Sequence, residues 1–204
     1  MIDLFLTSVG NRFYRRKDKP SITLPSGNFA VIRFNIMADF KKYAPKLIQL
    51  EGGYTNHPDD QGGPTNLGVT LNTFRQYCGK EKSIKDLRNM SYGTWEEIMK
   101  DLYWDKCRAD EIENQSVAEI TVDWCVNSGM VGLRKVQEIA GTKPDGVAGP
   151  KTLAAINGAN QEELFERIMS ARKQFYVNIV KRNPSQKVFM NGWMNRLLRF
   201  KFED

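Results

Sequence analysis

A segment between residues 51 and 70 places two acidic side chains where they could do acid–base chemistry. Glu51 follows an apolar helical run, and Asp60 stands nine positions later in a loop of glycines, prolines and small polar residues. Such a loop can carry the second carboxylate to the opposite wall of a cleft, where its surroundings differ from those of the first. Hydrolysis of a glycosidic bond uses a pair of this kind, with one carboxyl group protonated and the other ionised.

The local sequence suggests a different role for each carboxyl group. Glu51 is predicted at the C-terminal end of a helix, where the helix dipole disfavours a further negative charge. Shielding by Leu47 and Leu50 would favour the protonated form further, and a protonated carboxyl group can protonate a leaving oxygen. Asp60 lies among backbone N–H donors, which favour the ionised form. A lone Glu-Gly-Gly is more often an ordinary helix end, so the assignment depends on the whole segment.

The segment 51–70, EGGYTNHPDDQGGPTNLGVT, closely resembles the signature of glycoside hydrolase family 108. Further segments that fit the pattern of this family are Tyr103-Trp104-Asp105, residues 123–129 (DWCVNSG), residues 136–137 (VQ), residues 145–153 (DGVAGPKTL) and residues 192–196 (GWMNR). The resemblance extends from about residue 37 to about residue 200. The family comprises bacterial and phage N-acetylmuramidases, some of them labelled secretion activator proteins. The resemblance therefore implies an all-α, lysozyme-like helical fold with an active-site cleft.

The same resemblance implies a peptidoglycan hydrolase that cleaves the β-1,4 bond between N-acetylmuramic acid and N-acetylglucosamine. Glu51 would be the general acid, and Asp60 would stabilise the developing positive charge, position a water or act as the nucleophile. Thr65 and Thr70 are candidates for orienting water or substrate, since the spacing resembles that of phage lysozymes with Glu, Asp and a downstream Thr in the cleft. Thr70 could instead cap the helix that follows it.

Four further polar residues are candidates for contact with the sugar. Tyr54 and Asn56 could line the sugar subsites. Asp123 and Asn127 are four positions apart on a predicted helix, so they share a face and could hydrogen-bond a sugar. They could equally hold neighbouring backbone in place. Asp123 is also the alternative second carboxylate, should Asp60 point away from the cleft.

Two other functions remain open at this point. A lytic transglycosylase needs only the glutamate and leaves an anhydro product, and the presence of Asp60 argues against it. A non-catalytic wall-binding or secretion-associated module would retain the cleft without turnover. The stereochemical outcome of hydrolysis depends on the separation of the two carboxyl groups, which spacing along the chain does not determine.

The elements that must position these residues are predicted to be mostly helical after residue 37. A helix over residues 38–50 precedes the first carboxylate and is expected to kink or restart at Pro45. The segment Ser116-Val-Ala-Glu119 forms a capping-box pattern at the start of another helix. Asn160 precedes the longest predicted helix, which extends to about residue 181.

The chain is predicted to comprise three parts. Residues 1–36 lie outside the resemblance and form an N-terminal extension that we expect to be non-catalytic, with a basic arm that contacts wall or membrane as the alternative. Short strands could form within it at residues 22–24 and 29–34. Residues 37–125 form the lysozyme-like catalytic region. Residues 126–204 form a C-terminal helical region that resembles a peptidoglycan-binding domain and packs on the core.

The last predicted helix is amphipathic and carries an aromatic and a basic residue one turn apart. Trp193 and Arg196 could border a glycan groove on this helix. Packing is the more usual role of a tryptophan on an amphipathic helix, and that alternative stays open.

Composition limits the possible partners and cofactors. The chain has 204 residues and a net charge of +6, which suits an anionic polymer such as the cell wall but does not by itself identify one. Peptidoglycan glycan strands are the expected partner, and nucleic acid would rest on charge alone, so none is expected. Cys78, Cys107 and Cys125 are odd in number and widely spaced, which indicates reduced thiols. His57 is the single histidine, so neither a metal site nor another cofactor is expected.

The order of apolar and basic residues at the N-terminus predicts how the protein reaches the cell wall. A brief apolar start is followed by basic residues, the reverse of a secretory signal peptide. No stretch approaches the roughly 20 apolar residues of a membrane span, so stable membrane insertion is not expected. We expect synthesis in the bacterial cytoplasm without a signal peptide, release through a holin-type pore or another path, and action at the cell wall as a monomer.

Overall fold

The computed structural model describes residues 21–23, 29–31, 37–56 and 63–203. In the first of its two units, strands β1 (Ser21–Thr23) and β2 (Phe29–Val31) pair antiparallel, with Ile22 opposite Ala30. The sequence predicts strands at residues 22–24 and 29–34; β1 has the predicted length but begins one residue earlier, and β2 covers the first three residues of the second prediction. The second unit, Ile36–Glu203, contains the segments that resemble the family.

Helix α1 (Phe40–Leu50) positions the predicted catalytic glutamate. The Asp39 side chain caps its start by accepting from the Lys41 N–H, and the buried residues of its inner face are Phe40, Tyr43, Ala44 and Leu47. The expected restart at Pro45 is wrong, because α1 continues as one helix through this residue, while a kink there stays a prediction. Pro45 lies on the exposed side of the helix, where water can bind the carbonyl group that proline leaves without a donor.

A two-stranded hairpin follows the loop, and its turn is fixed by backbone geometry. Strands β3 (Thr65–Asn66) and β4 (Val69–Thr70) pair antiparallel. The two turn residues between them, Leu67 and Gly68, both have positive φ, 49° and 77°, as a tight two-residue hairpin turn requires. The Trp95 indole N–H donates to the Leu67 carbonyl at 2.9 Å and anchors the turn to the helical core.

Helices form most of the remaining chain. They are α2 (Leu71–Cys78), α3 (Ile84–Arg88), α4 (Tyr92–Met99), a π-helical turn (Lys100–Trp104), a 3-10 turn (Ala109–Glu111), α5 (Gln115–Ser128), α6 (Val131–Ile139), α7 (Pro150–Gly158), α8 (Gln161–Arg182), a second 3-10 turn (Pro184–Phe189) and α9 (Met190–Leu197). The predicted start of the longest helix is confirmed, because the Asn160 side chain caps α8 by accepting from the Glu163 N–H. In the described part of the chain, no helix combines the length and the apolar character that crossing a membrane requires.

Helix α5 is the centre of the second unit. Every residue from 116 to 125 is buried, and the helix packs mainly against α6 and α8. The predicted capping box is wrong, because the Asn114 side chain, not that of Ser116, accepts from the Val117 N–H. The Ser116 hydroxyl instead accepts from the Glu203 N–H at 3.0 Å, so a tertiary contact uses the group that the local pattern assigns to the cap.

The buried side-chain amide of Gln137 holds the loop between α6 and α7 in place. The Gln137 side chain donates to Asp145 Oδ1, to the Val147 carbonyl and to Thr152 Oγ1, and its Oε1 accepts from the Gly146 N–H at 2.8 Å. This network fixes residues 145–153, one of the segments that fit the family pattern. Asp145 and Gly146 therefore have a structural role in this loop.

The three cysteines are free thiols. Cys107 and Cys125 are buried side by side, with their sulfur atoms 3.5 Å apart. The hydrogen bond to Cys125 and burial raise the pKa of the Cys107 thiol. This pairing of distant cysteines was not predicted, since 18 residues separate them in the sequence.

Candidate active site

The carboxylate of Glu51 lies where α1, the β3–β4 hairpin and α9 meet. Glu51 is the residue that ends α1, and its own N–H donates back to the Leu47 carbonyl at 3.0 Å. Only 12% of its side chain is exposed. Oε1 accepts a hydrogen bond from Arg196, while Oε2 lies so close to Gly68 that a methyl group there would be 2.5 Å away. Both carboxylate oxygens therefore have a fixed neighbour.

Arg196 of α9 is the charged partner of Glu51. Its Nη2 donates to Glu51 Oε1 at 2.8 Å and to Asp123 Oδ1 at 2.6 Å, and its Nη1 donates to the Leu50 carbonyl at 3.2 Å. Its Nε also faces both oxygens of Asp123, at 3.1 and 3.2 Å. Burial lowers the pKa of Arg196, but Asp123 and Glu51 outweigh it and hold that pKa above its ordinary value.

Asp123 is the buried anchor of this network. Its side chain has no exposed surface, and Arg172 Nη2 donates to its Oδ2 at 2.6 Å. The Tyr43 hydroxyl donates to its Oδ1 at 3.0 Å. Burial raises the pKa of Asp123, but Arg172 and Arg196 outweigh burial, so the pKa lies below its ordinary value. Two carboxylates and two guanidinium groups thus balance in charge, as buried ionised groups must.

The hairpin whose turn residue Gly68 adjoins Glu51 also carries the two predicted threonines. Thr65 and Thr70 stand directly opposite each other across the strands, so their side chains share one face. Thr65 Oγ1 donates to the Gly63 carbonyl at 3.0 Å. Thr70 Oγ1 accepts from the Thr73 N–H at 3.2 Å and thereby caps α2. Thr70 therefore has the capping role that the sequence allows.

The chain segment that follows Glu51 is hydrogen-bonded to the same hairpin. Thr55 exchanges backbone hydrogen bonds with Thr65 at 2.8 and 2.9 Å. The Tyr54 ring, which is partly buried, lies 4.0 Å below the guanidinium group of Arg88, and the buried Tyr54 hydroxyl has no hydrogen-bond partner among the described residues. Asn56 is exposed. These two predicted sugar contacts therefore lie along one chain segment beside the hairpin.

Comparison with known proteins places this site in a family. The family model described as Glycosyl hydrolase 108 matches residues 44–129, and the model described as Predicted Peptidoglycan domain matches residues 131–198. None of the curated proteins compared matches the chain. The solved structure described as "Structure of Brucella abortus SagA" is 30% identical to it, with a TM-score of 0.67 and coverage of 79% of this chain and 90% of that chain. The chain belongs to the glycosyl hydrolase 108 family.

Membership of the glycosyl hydrolase 108 family confirms the all-α, lysozyme-like fold that the sequence predicts. The chain is a lysozyme-like glycoside hydrolase that acts on peptidoglycan. Helix α5 continues across residue 125, where the sequence places the boundary between its second and third parts. That division of the chain stays a prediction.

Asp60 lies outside the described residues, as does His57, so its role in this family member stays a prediction. The described part of the chain contains no group of three or more His, Cys, Asp or Glu side chains that could hold a metal ion.

Asp123 and Asn127 are positioned differently from the predicted sugar ligands. The Asp123 side chain has no exposed surface with which to meet a glycan, and both of its oxygens accept hydrogen bonds from arginines, so Asp123 lies beneath the site, bound to Arg196. The same burial rules out its alternative role as the second carboxylate in the cleft. Asn127 is exposed, and its amide donates to the Asp123 carbonyl at 2.8 Å. The sequence allows two roles for Asn127, binding a sugar or holding neighbouring backbone in place. These contacts match the second role.

Sequence reasoning placed Arg196 at the edge of a groove and did not pair it with Glu51. The two residues are 145 positions apart, and no local pattern signals a contact at that distance. Trp193, its neighbour on α9, stacks on Tyr176 with ring centroids 5.2 Å apart, which is the packing alternative. Tyr103 is a second residue that sequence reasoning did not assign, and burial and the charge of Glu51 raise its pKa.

Proposed function

We propose that this protein is an N-acetylmuramidase that hydrolyses the β-1,4 bond between N-acetylmuramic acid and N-acetylglucosamine, with Glu51 as the general acid. One observation carries the proposal. The Glu51 carboxyl group is largely shielded but not fully buried, and it lies between a helix end and a hairpin turn within the segment that matches Glycosyl hydrolase 108. A shielded carboxyl group at the edge of a site is suited to giving a proton to a leaving oxygen.

Proton transfer from Glu51 would break the bond between the sugar carbon and the leaving oxygen. As this bond lengthens, the muramic acid ring acquires oxocarbenium character. A water molecule then gives its hydroxyl group to the sugar carbon and its remaining proton to a carboxylate of the site, either Asp60 or the deprotonated Glu51. A glycan that covers the remaining exposed part of Glu51 would exclude bulk water from the proton transfer.

Asp60 is the proposed second carboxylate, and it would stabilise the positive charge, position the water or act as the nucleophile. The choice between these roles sets the stereochemistry, since retaining enzymes hold the pair about 5 Å apart and inverting enzymes roughly 6.5–9.5 Å apart. The shared face of Thr65 and Thr70 makes them candidates for positioning water or substrate. Tyr54 and Asn56 are proposed to contact the sugar ring.

Action at the cell wall follows from the proposed substrate. Peptidoglycan glycan strands are the proposed partner, and the enzyme is proposed to work as a monomer that needs neither cofactor nor nucleic acid. Release through a holin-type pore or by another path remains a prediction from the sequence.

Product analysis tests this function. Purified peptidoglycan sacculi would be digested with the protein, and the soluble fragments would be examined by mass spectrometry with and without borohydride reduction. The proposal predicts fragments with a reducible N-acetylmuramic acid end. Anhydro-muramic ends would identify a lytic transglycosylase, and reducible N-acetylglucosamine ends would identify cleavage of the other glycosidic bond. Binding to sacculi without any soluble fragment would identify a wall-binding module.

A further inference from the structure

We propose that Arg196 is a positioning residue that holds the carboxylate of Glu51 for proton transfer, and that the C-terminal segment thereby completes the active site. This inference rests on the proposed function of Glu51 as the general acid. It assigns to the segment that matches a peptidoglycan domain a part in the chemistry itself, in addition to any contact with the wall.

The geometry around Arg196 fits a rigid support. Arginine presents its N–H groups in a planar fork, and here the fork joins two carboxylates and a helix end at the same time. The Leu50 carbonyl belongs to the last turn of α1, where no intrahelical donor is available. Because Arg196 binds both this carbonyl and Glu51 Oε1, it fixes the helix end and the side chain that emerges from it as one unit.

The support continues into the core. Asp123 of α5 holds Arg196, and Arg172 of α8 and Tyr43 of α1 hold Asp123 in turn. The Arg172 side chain is itself fully buried, and its Nε donates to the Tyr176 hydroxyl at 2.8 Å. Arg196 therefore cannot swing away from Glu51 without leaving a buried carboxylate with one cation fewer, which is costly.

The contact connects the two matched segments. Glu51 and Asp123 lie in the segment matched to Glycosyl hydrolase 108, whereas Arg196 and Arg172 lie in the segment matched to a peptidoglycan domain. Each segment thus supplies the charges that the other one needs. The first segment alone would leave Glu51 and Asp123 without either of their arginines.

Among the described residues, Arg196 faces Glu51 from α9 and Tyr103 from the π-helical turn, while Asp123 lies behind Arg196, paired with Arg172. Without the Arg196 guanidinium, Glu51 Oε1 would lose the donor that holds it in place, and the geometry for proton transfer would loosen. The loss should therefore fall on the maximal rate and not on the amount of sacculi that gives half of that rate.

Three arginine variants test this inference in the full-length protein. Lysis of purified sacculi would be measured over a range of sacculi concentrations for Arg196→Met, Arg196→Lys and the control Arg199→Met, which removes an exposed arginine of the same chain end. Thermal unfolding would report the folded fraction. For Arg196→Met we expect a maximal rate at least about 10-fold lower, with the half-saturating amount of sacculi unchanged. Arg196→Lys should recover part of the rate, and Arg199→Met should match wild type.

Wild-type maximal rates in both Arg196 variants would overturn the inference, as would a loss that falls only on the half-saturating amount of sacculi. If Arg196→Met does not fold, Arg196→Lys decides, because it keeps the charge and loses the fork: a wild-type rate in this variant overturns the positioning role. Glu51→Gln, measured in parallel, separates the two levels of the argument. Full lysis by Glu51→Gln would contradict the proposed function itself, whereas an inactive Glu51→Gln beside fully active Arg196 variants would contradict only the role of Arg196.

Discussion

Gly68 and Glu51 are in direct contact, although they lie 17 positions apart in the chain: Oε2 of the glutamate occupies the space that any side chain on Gly68 would need. Gly68 is also the second residue of the hairpin turn, with a φ of 77° that disfavours other residues. One glycine thus meets two demands, the turn geometry and the room for the carboxyl group. The hairpin is therefore part of the wall that orients Glu51.

Replacement of Gly68 by alanine should reduce lysis of sacculi about 10²-fold, because the added methyl group would displace the Glu51 carboxylate from its position. The left-handed backbone alone should lower the free energy of unfolding by about 1–2 kcal/mol. Gly141→Ala is the matched control, since Gly141 has a φ of 75° and open space around its Cα. Equal activity of the two variants would show that Gly68 matters only for the turn.

Asp123→Asn should destabilise the fold by about 3–5 kcal/mol near neutral pH, because it leaves the buried Arg172 and the largely buried Arg196 without their shared counterion. The pKa of Asp123 is lowered in the folded protein, so its contribution is fully present above the unfolded value and is lost as pH falls through the folded value. The difference between wild type and variant should therefore shrink between pH 6 and pH 3. Denaturant unfolding at the two pH values measures it.

A constant difference in unfolding free energy between pH 6 and pH 3 would contradict this account of Asp123. It would mean that the loss arises from packing or from a neutral hydrogen bond and not from the ionised carboxylate.

Thr70 has a structural role that can be separated from a role in the cleft. Thr70→Ala should lower the free energy of unfolding by about 1 kcal/mol, because the Thr73 N–H loses its acceptor at the start of α2. Thr70→Asn should restore most of that loss, since asparagine is a good cap. Chemical denaturation compares the three proteins. A Thr70→Asn variant as unstable as Thr70→Ala would contradict the capping role, and recovered stability without recovered lysis would indicate an additional role beside Glu51.

The sequence predicts features that short-range chemistry controls. The helix end at Glu51 and the Asn160 cap of α8 follow from residue types within one or two turns, and both are observed. The predicted Ser116 cap does not form, because the Ser116 hydroxyl accepts a hydrogen bond from the Glu203 N–H instead. Local patterns carry no information on which distant groups compete for a donor or an acceptor.

The network beneath the site belongs to the same class of long-range features. Asp123 has the spacing of a sugar ligand on the exposed face of a helix, yet α5 is buried nearly all round. Its partners lie 49, 73 and 80 residues away in the chain, on three different helices. Only the packing of these helices determines that the carboxylate meets two guanidinium groups. The role of Asp60 remains a prediction from its residue type and its place in the loop.

The rate at which Glu51→Gln releases reducing ends from purified sacculi tests the central claim most directly. Glutamine keeps the shape and can still accept from Arg196, so the fold and wall binding should be retained. Glu166→Gln, an exposed substitution on α8, is the matched control and should match wild type. The account predicts a rate about 10²–10⁴-fold lower for Glu51→Gln at the pH optimum of the wild type. Release of reducing ends at the wild-type rate would contradict the assignment of Glu51 as the general acid.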